Sequence, residues 1–320
     1  MNGEASWAKV PMMRMLRLSF IVPADSFATI MDVAERLSAQ SVAEEIELVV
    51  VCPAASELGD YDQVGPVRIT VVEHPLLPLG EARAAGVRAA AAAVVAIGET
   101  HAYPAPGWGE HLIAAHEGPW AAVVPAITNA NPEGGAASWS TFLIDYGRWA
   151  FGDEAREIDD PPSYNASFKK AHLLELGDDL GRLLEPGDEL PHELRKRGHR
   201  SYYEPRARIE HLNLTRRGAW HYERFLGGRL LGSARRAHWP MARTLLYVAG
   251  SPLIPVISLA RARHALAAAG RNGGLPAHTG TAVVLACVLF GIGELVGYVV
   301  GEGRAEADML EYELHKVRYI

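Results

Sequence analysis

The sequence predicts an α/β protein: a doubly wound, mostly parallel sheet followed by an apolar, helical, membrane-associated C-terminal region. Three observations carry this. Short runs rich in β-formers, each stopped by proline or glycine, alternate with helix-period segments over the first part of the chain. The composition turns apolar after residue 240. At 320 residues the chain is long enough to bury a large core.

The elements follow in order. "LRLSFIVPA" (16–24) reads as a strand ended by Pro23. Ile30, Val33, Ala34 and Leu37 lie at helical spacing in 27–40. "IELVVVCP" (46–53) and "VRITVVE" (67–73) are further strands, "LGEARAAGVRAAAAA" (79–93) an Ala-rich helix, and "VVAIG" a fourth strand. A helix over 107–116 and a strand over 120–127 follow. Residues 128–164 are polar and rich in Gly, Pro and aromatics, and read as a long loop forming a lid or acceptor-side wall. "FKKAHLLELG" and "DELPHELRKRG" are two more helices, the second ending in basic residues and Gly198.

Beyond them, "TLLYVAGSPLIPVISLA" (244–260) is apolar but short and broken by Pro252 and Pro255, which suits a kinked, re-entrant or interfacial hairpin. "TAVVLACVLFGIGELVGYVV" (281–300) matches the roughly 20 residues that span a bilayer and carries one charge, Glu294. That charge flags a function or a structural partner, for which an arginine from 244–278 is a candidate. Core helices of an unusual soluble subdomain are the alternative. The expected domains are a lead-in (1–15), an α/β domain (16–213), a basic juxtamembrane segment (214–243), membrane-associated helices (244–302) and a tail (303–320).

The net charge of −7 gives no support to nucleic-acid binding. Its distribution is uneven. From Thr215 to Arg243 seven arginines face a single acid, Glu223, directly before the first apolar segment, where a lipid-surface contact needs them. Cys52 and Cys287 both lie in apolar runs, so a disulfide framework is excluded and a reducing compartment expected. The N-terminus has no continuous apolar stretch of a signal peptide.

In an open α/β sheet, ligands sit at the carboxyl ends of the strands. Pro23, Cys52-Pro53 and Gly98-Glu99 mark such ends, so the "ETH" of "AIGETHAYPAPGW" (96–108) falls on the rim where chemistry is expected. A cap and a solvated turn residue are the plain alternatives for Glu99 and His101.

From Leu18 to Arg236 the chain resembles the family 2 glycosyltransferases, enzymes of the GT-A fold that move a sugar from a nucleotide-sugar to an acceptor. "LSFIVPA" is similar to their opening strand, "EIELVVVCPAAS" to the strand that usually ends Asp-Asp-Gly-Ser, and "LGEARAAGVRAA" to the Gly-x-x-x-Ala-Arg-Asn-x-Gly helix. "VVAIGETHAYPAPGW" is similar to the strand, metal motif and Pro-x-Pro-Gly-Trp helix start, "YNASFKKAHLLELG" to the Asn-containing acceptor segment, and "DELPHELRKRGHRSYYEPRARIEHLN" to the acidic helix and the closing Glu-Pro…His. Order and spacing carry the resemblance rather than any single motif. Departures are Glu99-Thr100-His101 for Asp-x-Asp, Cys52 for the nucleoside aspartate, Ser26 and Ala84 for two asparagines, and a shifted acid pair near Pro186 and Gly187.

The resemblance implies a donor site at Pro23, Ala24, Arg83, Glu99 and His101, and a metal held by Glu99, His101 and His211. Carboxylate-His-His suits Mn²⁺ better than Mg²⁺. Metal-free stabilisation of the leaving group by His101 and Arg83 is the other possibility. Glu189 and Asp188 are the candidate general bases; acids enriched at a helix N-terminus are their plain explanation. Asn165 and Trp139 are acceptor-side candidates. The implied function is an inverting, non-processive transferase at the cytoplasmic face of the membrane, acting on a lipid-linked or cell-envelope acceptor. Its alternative is an inactive GT-A-like domain that binds a nucleotide-sugar or serves as a scaffold.

Overall fold

The computed structural model describes residues 15–61, 64–185, 189–271 and 273–320. The expected lead-in and Asp188, Pro186 and Gly187 lie outside these, Met15 excepted. The strands are β1 (Leu18–Pro23), β2 (Ile46–Cys52), β3 (Arg68–Glu73), β4 (Val94–Ile97), β5 (Ala102–Pro104), β6 (Ala122–Asn129), β7 (Arg156–Ile158), β8 (Ala166–Lys169) and β9 (Ser201–His211). They form one sheet in the order β3-β2-β1-β4-β8-β6-β9-β5, with β7 pairing β9.

The half from β3 to β4 is parallel, as the apolar runs predict: β1 and β2 are buried along their whole length. From β4 onward the sheet is mixed, which corrects the expectation of a mostly parallel sheet. β8 runs antiparallel to both β4 and β6, and β5 and β7 run antiparallel to β9. The cause is the 130–165 segment, which brings the chain back through short elements so that β8 enters between β4 and β6 from the opposite end.

That segment is also not a loop. It holds α4 (Gly135–Asp145) and α5 (Gly147–Ala150), and α4 buries Phe142 and Leu143 in the main core. Its glycine and serine content hid a helix whose apolar face is only a few residues wide. The earlier helices α1 (Met31–Ser38), α2 (Leu79–Ala89), α3 (Trp108–Ala115) and α8 (Glu189–Lys196) fall as expected; α6 (Lys170–Leu174) is shorter than its motif, whose first residues end β8, and α7 (Leu180–Leu183) is an unexpected short helix. A Cβ on Gly86 of α2 would lie 2.4 Å from Ile21 Cγ2, so the helix packs directly on β1 there.

The C-terminal part comprises α9 (Arg217–His238), α10 (Met241–Gly250), α11 (Ile254–Arg271), α12 (Thr279–Val300) and α13 (Ala305–His315). α9 and α12 touch backbone to backbone through two pairs of glycines four apart. Added Cβ atoms would lie 2.0 Å from Phe290 O at Gly228, 2.2 Å from Glu294 O at Gly232, 2.0 Å from Phe225 O at Gly293 and 2.3 Å from Arg229 O at Gly297. Only residues without side chains allow this approach.

The partner of Glu294 is Arg235 of α9, not an arginine from 244–278. Arg235 Nη1 lies 2.6 Å from Glu294 Oε1, and the Tyr298 hydroxyl donates to the same oxygen at 2.6 Å. Several arginines of the basic stretch are likewise held within the protein. Arg224 pairs with Asp145 and Glu223, Arg229 donates to Gly301 O and Arg236 to Val299 O.

Two helical runs, Met241–Arg271 and Thr279–Val300, are long and apolar enough to cross a membrane, with mean hydropathies of 1.5 and 2.3. Over an apolar 18-residue stretch of each, only 11% of the first is buried within the protein, against 44% of the second. The exposed apolar side chains include Leu245, Leu246, Leu253, Val256 and Ile257 on the first run, and Val284, Leu285 and Ile292 on α12.

Candidate active site

The rim of the parallel half carries a buried polar cluster. β4 ends at Ile97, and Gly98 is the turn residue beneath Phe20: a Cβ there would lie 2.0 Å from Phe20 Cζ. The chain then passes through Glu99, Thr100 and His101 into β5. β5 and β9 are antiparallel with Ala102 opposite His211, and Leu212 N donates to His101 O at 2.9 Å. This pairing brings an imidazole from the end of β9 beside one from the end of β4.

Glu99, His101 and His211 are 6%, 1% and 2% exposed. Glu99 Oε2 lies 3.7 Å from His101 Nε2 and 3.5 Å from His211 Nε2, and one ligand atom from each of the three lies within 4.8 Å of the others. The outer nitrogens are fixed. His101 Nδ1 meets the Glu313 carbonyl at 3.0 Å, which only accepts, so Nδ1 carries the hydrogen. His211 Nδ1 meets Asn213 Oδ1 at 3.0 Å, and that amide is oriented by its own donation to Asn129 Oδ1 at 2.9 Å. In the neutral rings both Nε2 lone pairs therefore face the carboxylate, and His101 Nε2 is buried with no hydrogen-bond partner.

Burial holds the His101 imidazole well below its ordinary value, with the Lys316 charge acting in the same direction. Burial by itself would raise the Glu99 carboxyl; the two imidazoles and Lys316 hold it well below the usual carboxylate range. An ionised carboxylate is the form a cation requires, and fixed outer nitrogens are the support that metal-ligating histidines ordinarily have. The residues fit a divalent cation.

Glu99 Oε2 also accepts from Asn165 Nδ2 at 2.5 Å and from the Tyr146 hydroxyl at 3.4 Å. Asn165, expected on the acceptor side, is thus buried behind the carboxylate, in a left-handed conformation (φ 54°) that asparagine tolerates. Trp139 is half-buried, stacked edge-on against Phe142, and donates to Pro132 O at 3.2 Å. Pro23 and Ala24 are buried at the end of β1, with Ala24 N bonded to Val51 O at 2.9 Å. Arg83 is not a solvated helix residue. It is 2% exposed, donates to Leu184 O at 3.1 Å and lies over the Tyr164 ring, while its Nε has no partner.

Of the candidate bases, Glu189 makes no hydrogen bond or ion pair with this cluster. Glu189 opens α8 with its side chain in solvent, ion-paired to Arg182. Glu185 accepts from Gly80 N at 2.6 Å, at the start of α2. Asp188 is outside the described residues.

Reading the sequence missed Tyr146, Asn213, Glu313 and Lys316. Asn213 had a signal: it stands two residues after His211, on the same side of an extended chain. Tyr146 sits at the end of an unforeseen helix, and Glu313 and Lys316 in an assumed tail.

No family model matches the chain, and no curated protein sequence matches it. Among solved structures it is similar to GalNAc-T7 with UDP, GalNAc and Mn²⁺, at 17% identity over 62% of this chain and TM-score 0.45. The match spans 44% of that chain, less than half its length. It is similar to the mannosyltransferase PcManGT from Pyrobaculum calidifontis in complex with GDP-Man and Mn²⁺, at 18% identity over 95% of this chain and 88% of that one, TM-score 0.48. It is also similar to S. aureus TarS 1–349 in complex with UDP, at 14% identity over 93% and 91% of the two chains, TM-score 0.46.

Proposed function

We propose that the protein is a membrane-associated, metal-dependent glycosyltransferase that takes its sugar from a nucleotide-sugar. The observation that carries this reading is the buried Glu99–His101–His211 cluster at the carboxyl rim of the parallel half-sheet, with its nitrogens oriented for a cation. The ordered resemblance of residues 18–236 to family 2 glycosyltransferases supports it and supplies the reaction.

In such a transfer the leaving diphosphate gathers negative charge; Glu99, His101 and His211 would hold a divalent cation, which would supply the opposing charge. The carboxylate and two imidazoles suit Mn²⁺, and Zn²⁺ or Fe²⁺ belong in any metal panel. Asn165 and Tyr146 hold the Glu99 carboxylate in place. Pro23 and Ala24, at the end of β1, leave backbone room for the nucleoside. The acceptor hydroxyl must lose its proton to a carboxylate, and we assign this to the segment carrying Asp188 and Glu189, of which Glu189 is exposed and exchanges its ion pair with Arg182 for the acceptor. Direct attack with one base gives inversion without a covalent intermediate. The exposed apolar faces of 241–271 and α12 support a lipid-linked or envelope acceptor, and the basic stretch "RARHALAAAGRNGGLPAHTG" (261–280), which begins within α11, supports the cytoplasmic side because its charges oppose translocation. Trp139 remains our acceptor-side candidate.

One observation favours a second reading, an inactive nucleotide-binding scaffold: a buried thiol, Cys52, stands where the family holds the nucleoside with an aspartate. Turnover decides between them. UDP or GDP release from a nucleotide-sugar panel with Mn²⁺, lost by about 10²- to 10⁴-fold in Glu189→Gln or Asp188→Asn, is the expected result. Nucleotide-sugar binding without release in any metal supports the scaffold.

A further inference from the structure

Residues 303–320, a tail by sequence, close over the same rim. Thr100 Oγ1 donates to the Glu313 carbonyl at 2.6 Å, beside the His101 contact with that same oxygen. His315 Nε2 lies 2.9 Å from Asp25 Oδ2, just past the end of β1. After Lys316 the chain is fixed again, where Tyr319 O accepts from the backbone N–H groups of Thr215 and Arg216 at 3.2 and 3.0 Å. Lys316 is therefore held between two anchored points.

Its side chain is 4% exposed, and among the described residues no hydrogen bond or ion pair satisfies the ammonium. The nitrogen is not among the fully enclosed, unpartnered polar atoms, so it keeps some access to solvent, and a cation held there with no bonded partner is available to a ligand. The Lys316 charge acts on Glu99, His101 and Glu313, and also on Glu223 of α9, so the ammonium lies within electrostatic reach of the cluster. His101 Nε2, Arg83 Nε and Asn165 Oδ1 are buried polar atoms without partners, each on a residue of this rim. Polar groups left unsatisfied together are what a bound polar ligand satisfies.

The charge balance gives the sign of that ligand. A dication with one carboxylate leaves a single positive charge at the cluster, and the diphosphate of a nucleotide-sugar carries two negative ones. With the Glu313 carboxyl also on this rim, Arg83 and Lys316 are the positive groups that can meet the remainder, and another negative charge develops as the bond to the sugar breaks.

We propose that Lys316 is a diphosphate-binding residue of the donor site, delivered by the C-terminal segment onto the rim beside Glu99 and His101. This rests on the glycosyltransferase reading above.

The test is calorimetric binding of UDP and GDP, and of uridine and guanosine, to the full chain with Mn²⁺, in wild type, Lys316→Met and Lys316→Arg. Loss of one charged contact in Lys316→Met weakens diphosphate binding about 10- to 100-fold. The bare nucleosides bind unchanged, Lys316→Arg keeps most of the affinity, and Lys316→Met melts no lower than wild type. A residue that only held the fold would move the nucleosides and the melting temperature as well. Lys316→Gln carries the same test if the Met variant does not fold. Equal diphosphate affinity in wild type and Lys316→Met overturns the proposal. So does tighter binding by the variant, which would make the segment a plug that shuts the site. If wild type binds no nucleotide under any metal, the donor-site reading falls too; nucleotide binding indifferent to Lys316 overturns this inference alone.

Discussion

The rings of His101 and His211 meet edge to face, with centroids 4.8 Å apart and planes 76° to one another. They come from the middle and the end of the domain's sequence and are joined by the antiparallel register of β5 and β9, with Ala102 opposite His211. A one-residue slip of β9 would turn His211 to the other face of the sheet and dissolve the cluster. The site thus depends on sheet register as much as on the three ligating side chains.

Asn213→Ala removes the acceptor that fixes His211 Nδ1 while leaving all three proposed ligands in place. Loss of such outer support typically costs about 10- to 100-fold in metal affinity. Titration of Mn²⁺ into the variant should show that drop with the same stoichiometry. An unchanged affinity would mean that the His211–Asn213 contact serves the loop alone.

His116 supplies a pH signature away from the cluster. Burial, with the charge of Lys169 acting in the same direction, lowers its imidazole from 6.5 to about 3; its Nε2 lies 2.9 Å from Ser167 Oγ. The unfolded chain binds a proton below pH 6.5 that the folded chain refuses. The stability contributed by this group is therefore fully present above pH 6.5 and lost as pH falls toward 3. Between pH 7 and pH 5 the loss is about 2 kcal/mol. Glu306 and Glu313, both raised to about 7 chiefly by burial, act in the opposite direction in wild type and variant alike. Urea unfolding in detergent at the two pH values should therefore differ by about 2 kcal/mol less in His116→Gln than in wild type. Equal differences would contradict a neutral buried His116.

The contact between α9 and α12 predicts a sharp positional contrast. Gly293→Ala puts a Cβ 2.0 Å from Phe225 O, a backbone atom that cannot swing away, and should cost about 1–3 kcal/mol or more. Gly280→Ala, on the same helix with nothing within 4 Å, should be neutral or stabilising by up to about 1 kcal/mol. Melting of both variants in the same detergent checks the pair; similar shifts would argue against the close packing.

The parallel half of the fold was legible because β1, β2 and β4 are short, apolar and punctuated by Pro or Gly. Glu99, His101 and His211 were legible through the motifs that surround them. What escaped was tertiary. The helix α4 lies in a stretch whose glycines and serines read as loop. The reversal of β8 has no local signature, because four residues such as "ASFK" look the same in either direction. Glu294 was recognised as needing a partner, but proximity in sequence pointed to the wrong helix. Asn165 was placed by motif on the acceptor side, whereas its left-handed backbone turns the amide inward to Glu99. Lys316 had no signal at all, since only the docking of α13 buries it.

The most direct measurement is a calorimetric titration of Mn²⁺ into the full chain, comparing His211→Ala with its parent. Both should carry His172→Ala, so that the exposed His172, Glu175 and His199 group contributes no heat. The account predicts one site in the parent, weakened at least about a hundredfold or lost in His211→Ala, and nucleotide-sugar binding that requires the metal. A parent that takes up neither Mn²⁺ nor Zn²⁺, or a variant that binds as the parent does, would contradict it.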